Sequence, residues 1–181
     1  MFYNMKKEDS YVHYITERAD KDRYSLYATT MGYQTIAPHQ HYPPEGKHPD
    51  GYFFHKGYGR VLPEYQLVYI SEGSGYFEST HCPRTWLSAG TFIMLFPGEW
   101  HYYEPDQKTG WTEYWVGFRM DVAEYVLSKL PISPERPLKR VNFATQVLSL
   151  YDELIHVSKH EIDGFQYICN GVISHLLGYI S

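Results

Sequence analysis

One pattern constrains the fold more than any other. From Glu64 to Phe118, short β-favouring runs recur at roughly ten-residue spacing between Gly/Pro turns. "EYQLVYISEG" is a compact aromatic and β-branched run, and "GYFEST" follows it after Gly73–Gly75, which reads as a turn between two strands. "HCPR" turns the chain, "TWLSAG" leads to a further turn, and "TFIMLF" reads as a short buried strand. "LFPGEWHYYEPD" (Leu95–Asp106) is a turn whose geometry Pro97 and Gly98 set, and "GWTEYWVGF" (Gly110–Phe118) is the next strand. Such a series predicts an antiparallel sandwich or barrel of the small jelly-roll kind.

The flanks differ. "APHQHYPPEGKHPDGYFFHKGYGR" (Ala37–Arg60) is dense in Pro, Gly and His and predicts loops and edge strands, while Tyr24–Ile36 holds one strand or two. After Asp121 the period becomes helical. "DVAEYVLSKL" places Val122, Tyr125, Val126 and Lys129 on one side. A second stripe runs through Val147, Leu150, Leu154 and Val157, and a third through Phe165, Ile168 or Cys169, Val172 and Leu176. Asp163-Gly164 separates these two helices. The expected organisation is a barrel with an N-terminal arm over residues 1–120 and a helical segment over 121–181, with stripes wide enough to leave a seam for a second subunit.

Charge bears on partners. The 181 residues carry a formal net charge of −5, so the basic face that grips phosphates is missing. Cys82 and Cys169 read as free thiols of a reducing compartment, no leader is read at the N-terminus, and no apolar run approaches the length of a membrane span. The expected location is cytoplasmic. Aromatic residues make up 18%, with 19 tyrosines, a surplus suited to binding surfaces and wet cavities.

Three chemistries compete for the polar residues. His39, His41, His48, His55 and His101 invite a metal, and His39-x-His41 would share a face in an extended strand. Glu45 follows, but Pro43-Pro44 breaks the strand that such a ligand set needs, and no metal is expected. Catalytic signatures are missing, and Glu99 with Glu113 is a weak acid pair, so no enzyme and no cofactor is expected. Recognition fits best. Strand alternation puts Trp111, Glu113 and Trp115 on one face and Tyr114, Val116 and Phe118 on the other. Two indoles and a carboxylate suit a sugar, whose C–H patches stack on rings and whose hydroxyls donate to the carboxylate. Tyr102 and Tyr103 can add donors, and Arg60 a planar fork. The bland alternative makes Trp111 and Trp115 core residues and Glu113 a rim ion pair.

"EYQLVYISEGSGYFES" followed by "LSAGTFIMLFPGEWHYYEPDQKTGWTEYWVGF" resembles the N-terminal sensing domain of AraC-type transcriptional regulators, clearly over Gly59–Phe118 and more loosely into the helices. The resemblance implies a cupin-like antiparallel β-barrel that binds a small effector, often a sugar, and helices that form a homodimer. It also implies that DNA is bound only through a C-terminal helix-turn-helix domain absent from this chain. Tyr103 falls at an effector-facing tyrosine and Trp115 at a stacking tryptophan. Glu113 stands where a histidine can occur, and Arg60 resembles an arginine found at the start of the pre-strand loop. The family's closing arm corresponds to part of Met1–Ser10. The rival expectation is a metal-dependent cupin enzyme, a sugar isomerase or dioxygenase, using His39, His41 and His101.

Overall fold

The computed structural model describes residues 10–15, 24–43, 58–160 and 163–181. Within them lie nine strands and three helices. The strands are β1 (Ser10–Tyr14), β2 (Leu26–Ile36), β3 (Arg60–Val61), β4 (Tyr65–Ser79), β5 (Thr85–Ser88), β6 (Thr91–Leu95), β7 (Trp100–Pro105), β8 (Trp111–Met120) and β9 (Leu138–Arg140). The helices are α1 (Ala123–Leu127), α2 (Ala144–His160) and α3 (Phe165–Tyr179). His48, His55, Glu45 and nearly all of the expected N-terminal arm lie outside the described residues.

One antiparallel sheet runs β1-β2-β8-β4-β6-β9. In the other, β5 and β7 flank β4, and β7 carries β3. β4 therefore belongs to both: residues 65–73 pair with β8 and residues 66–70 also with β6, while residues 74–79 pair with β5 and β7. The result is a jelly roll whose two sheets share one long bent strand. This corrects the expectation at Gly73–Gly75, which is no hairpin but a corner inside a 15-residue strand. Gly73 has φ 77°, and a Cβ there would collide with the Gly110 carbonyl oxygen. Glycine lets the two backbones touch where the strand leaves one sheet for the other.

β4 also divides the core by alternation. Val68 and Ile70 point into the roll with Ile36, Phe77, Ile93 and Trp111. Leu67 and Tyr69 point the other way, with Phe92, Met94, Tyr114, Val116 and Phe118, against the helices. All five residues of β6 are buried because both of its faces are covered. α2 contributes Val147, Tyr151, Leu154 and Val157, and α3 contributes Cys169, Val172, Ile173 and Leu176. Cys169, not Ile168, takes the buried position, while Leu150 of α2 is only half-buried. In α1 the expected face is reversed. Ala123 and Leu127 are buried, whereas Val122 and Tyr125 are exposed. A five-residue helix is too short for its stripe to be read by period. β9 lies inside the segment expected to be helical and pairs with β6.

The helices are bound to the sheet by polar contacts as well. Gln166 accepts from the Ala28 backbone N–H (2.9 Å) and donates to the Ala28 carbonyl (3.1 Å). The Tyr151 hydroxyl donates to the Leu67 carbonyl at 2.8 Å. Tyr11 of β1 meets Ser158 of α2 at 2.9 Å, with Lys159 over its ring. Among the described residues no helix is long and apolar enough to cross a membrane.

Candidate functional site

The roll interior is lined from three strands. β8 supplies Trp111, Glu113 and Trp115 from one face, as alternation requires. β7 supplies His101 and Tyr103, and β3 pairs Arg60 with His101. The Arg60 guanidinium thus enters beside that row. Its Nη2 donates to the Tyr103 hydroxyl at 2.9 Å and its Nε to His101 Nε2 at 3.3 Å. His101 Nδ1 donates to the Glu99 carbonyl at 3.1 Å. The His101 ring is therefore neutral, with its proton on Nδ1. It stacks on Tyr103, centroids 6.2 Å apart and planes 8° from parallel.

Tyr42 completes the cluster. Its ring meets Trp111 edge-on at 5.9 Å and lies 6.4 Å from Tyr103, with which it shares a hydrogen bond. Tyr103 and Trp111 are 6.0 Å apart. The sequence offered no sign of Tyr42, which comes from the Pro-rich loop after β2, where no periodicity fixes a side chain's direction.

Burial dominates the electrostatics. It pushes the Glu113 carboxyl up to about 8, with Arg60 opposing. It pushes Tyr103 up to about 12, again against Arg60, and Tyr42 well above the usual phenol range. It lowers His101 to about 3, reinforced by the Arg60 charge. Two buried atoms in the cluster have no hydrogen-bond partner among the described residues, Glu113 Oε2 and Trp111 Nε1. Native interiors pair nearly all such atoms, and orphans ask for an explanation.

The sequence-derived candidates divide. Arg60, Tyr103, Glu113 and Trp111 converge. Trp115 shares their face but is half-buried, its ring lying over the space where Gly32 lacks a side chain. Tyr102 does not converge. It sits opposite Glu78 on the other face of β7, and its hydroxyl donates to Glu104 Oε2 at 2.9 Å. Adjacent tyrosines on a strand must diverge, and reading them as one turn concealed this. Glu99 and Glu113 are not an acid pair either, because Glu99 binds the exposed His81 at 2.9 Å. His39 lies in a turn at φ 63° and His41 Nδ1 faces the Pro43 carbonyl, so the two do not share a strand face. No group of three His, Cys, Asp or Glu able to hold a metal occurs among the described residues. A mostly apolar groove of about 370 Å³ lies elsewhere, with Leu26, Met120, Val126 and Leu177 among its walls.

Residues 44–171 match the model of the AraC-like ligand binding domain. The chain belongs to that family. This AraC-like domain is 35% identical over 66 residues to the raffinose operon transcriptional regulatory protein of Pediococcus pentosaceus, a match covering 36% of this chain and 24% of that protein. The AraC-like domain thus aligns with about a quarter of the length of that curated relative. Among solved structures it is similar to YhaK of Escherichia coli, with 12% identity, TM-score 0.45, and coverage of 73% of this chain and 50% of that one. It is also similar to a cupin-like protein of Thermotoga maritima, with 12% identity, TM-score 0.34, and coverage of 74% and 76%. The chain's own topology, mainly β with C-terminal helices, is the jelly-roll arrangement that the sequence predicted. The family model marks a ligand-binding domain.

Proposed function

We propose that this domain senses a small carbohydrate inside the roll and passes occupancy through its helices, as a homodimer, to DNA-binding domains elsewhere in the full protein. The observation that carries the reading is the pair of orphaned polar atoms, Glu113 Oε2 and Trp111 Nε1, buried among the rings of Tyr42, Tyr103 and Trp111. Pocket walls of this kind, mostly aromatic with a few placed polar groups, suit a small polar ligand. Arg60, Tyr103, Glu113 and Trp111 contact the effector, and Trp115 stacks at the half-buried end of the same face. Tyr102 supports β7 from behind. The raffinose link of the Pediococcus relative makes oligosaccharides with galactosyl units the first to try. The role is regulatory, without a chemical step or a cofactor, in the cytoplasm.

The test is a thermal-shift and calorimetric screen with pentoses, hexoses, uronic acids and oligosaccharides. A ligand at a hundred times its Kd stabilises by about 2.7 kcal/mol, a readily measured shift. A flat response across the screen would refute carbohydrate sensing. Sedimentation at micromolar concentration tests the dimer, and a monomer would refute it.

A further inference from the structure

We propose that the outer face of α2 carries a binding site for a divalent transition-metal ion, Cu2+, Ni2+ or Zn2+, clamped between His156 and His160. The site lies outside the roll and is independent of any effector held there.

The two histidines stand four residues apart on a 17-residue helix. Side chains at that spacing lie one above the other on one face. His-x-x-x-His on a helix is the spacing that lets two imidazoles reach one ion. Both residues are exposed, and their ring centroids are 4.3 Å apart with planes 36° from parallel. Metal–nitrogen bonds of about 2.0–2.1 Å put the centroids of two rings on one ion about 4.5–5 Å apart, so the observed pair is within about 1 Å of that separation.

One ring already has its tautomer set. His160 Nδ1 lies 2.8 Å from the His156 carbonyl oxygen, which can only accept, so Nδ1 carries the hydrogen. In the neutral ring the lone pair is then on Nε2. Metal-binding histidines nearly always donate their other N–H to a carbonyl or carboxylate, which orients the ring and raises the basicity of the ligating nitrogen. His41 makes a similar bond to Pro43, but its neighbour His39 sits in a turn at φ 63° and shares no face with it.

The surroundings favour a cation. His160 ends α2, where the helix dipole presents its negative end. Asp152 and Glu153 are exposed one turn before His156. Lys159 is directed instead to the Tyr11 ring, 4.5 Å from its centroid. No group of three His, Cys, Asp or Glu able to hold a metal occurs among the described residues, so the protein supplies two nitrogens and water the remaining ligands. That donor set selects the ion. Mg2+ and Ca2+ take oxygen ligands, whereas imidazole suits copper, nickel and zinc, with copper the tightest. Bound there, the ion ties together the last turn of α2.

Isothermal titration of this chain, prepared without a histidine tag, with the chlorides of Cu2+, Ni2+, Zn2+ and Mg2+ tests the inference, at a pH above the ordinary imidazole value of about 6.5. Cu2+ should bind tightest, Ni2+ and Zn2+ should follow, and Mg2+ should give no binding. His156→Ala and His160→Ala should each weaken the tightest Cu2+ and Ni2+ site by at least about ten-fold, the least that even outer-shell changes cost metal sites. His175→Ala, which removes an exposed histidine of α3, should leave that site unchanged. Unchanged affinity in both α2 variants overturns the inference, as does loss of the site in His39→Ala or His41→Ala. A readout on the unsubstituted protein covers the case of a variant that fails to fold. Paramagnetic Cu2+, added below one equivalent, should broaden the resonances of His156 and His160 first, and broadening centred on another histidine overturns the inference. A flat saccharide screen would refute carbohydrate sensing and leave this site standing, and absence of metal binding would do the reverse.

Discussion

Glu113→Gln changes the pH dependence of stability in a way that can be calculated. The carboxyl is buried and rises from 4.5 in the unfolded chain to about 8 in the folded one. Between those values the folded protein holds a proton that the unfolded chain has released. The unfolded state binds fewer protons, so stability falls as pH rises across this window and levels off above about 8. Each pH unit is worth about 1.4 kcal/mol, so the full loss is about 5 kcal/mol. From pH 6 to 9 the share is about 3 kcal/mol, because the window is already partly crossed at 6 and closes near 8. Glutamine keeps the shape and stays neutral, so the variant should exceed the parent by about 2 kcal/mol at pH 6 and by about 5 kcal/mol at pH 9, a gap that widens by about 3 kcal/mol between the two. Urea unfolding of both proteins at the two pH values measures this, since other groups cancel in the difference. If Arg60 instead holds the carboxyl ionised, the sign reverses and the variant is the less stable protein at pH 9. Parallel pH curves for the two proteins would equally refute the burial argument.

His101 governs the acid side. Its folded value of about 3 lies below the ordinary 6.5, so stability is fully present above 6.5 and lost as pH falls toward 3. His101→Gln should spare about 2 kcal/mol of the loss between pH 6 and 4.5, read by the same urea titrations. Gly73→Ala forces a side chain into a φ of 77° and against the Gly110 carbonyl, and should lower stability by more than about 1 kcal/mol in thermal unfolding. Tyr151→Phe strips the 2.8 Å bond from the buried Leu67 carbonyl and should cost about 1–3 kcal/mol by chemical denaturation. Trp115→Ala should abolish ligand-dependent thermal stabilisation while leaving a folded protein; a simple drop in stability with the response intact would mark Trp115 as core packing.

Alternation made much of the site legible in advance. A strand has a period of two, so quoting "GWTEYWVGF" is enough to send Trp111 and Glu113 one way and Tyr114 and Val116 the other. The same rule, applied to β7, would have separated Tyr102 from Tyr103. It went unused because "FPGEWHYYEPD" looks like one turn, although the turn ends at Glu99 and a strand begins at Trp100. The Gly-Ser-Gly of residues 73–75 misled for a different reason. Local chemistry says turn, but the pairing of β4 with β5, β7 and β8 is long-range and carries the chain straight through. Tyr42 had no local signal at all. Its place against Trp111 depends on where a loop lands, which only the assembled roll determines.

β8 joins the two halves of the proposed function. Its odd positions Trp111 and Glu113 face the interior, and beyond them Tyr114 and Val116 face the helices. Tyr114 lies 5.7 Å from Tyr151 of α2, and Tyr151 is in turn hydrogen-bonded to Leu67 on β4, the neighbouring strand. A ligand that draws on Glu113 therefore pulls on a strand whose next residue packs on the helix that would carry the signal. Packing alone does not make a switch, because a ligand moves an equilibrium only by its differential affinity for two states. The orphaned atoms supply a source for that difference. Among the described residues Glu113 Oε2 and Trp111 Nε1 are buried without partners, so a ligand that satisfied them in place would favour this arrangement over any that lets them reach water or a neighbour. Occupancy then stabilises the arrangement of β8 described here, and with it the seat of Tyr151. The residues proposed to recognise the ligand and the residues that hold α2 are consecutive on one strand, so a shift in either set would be felt by the other.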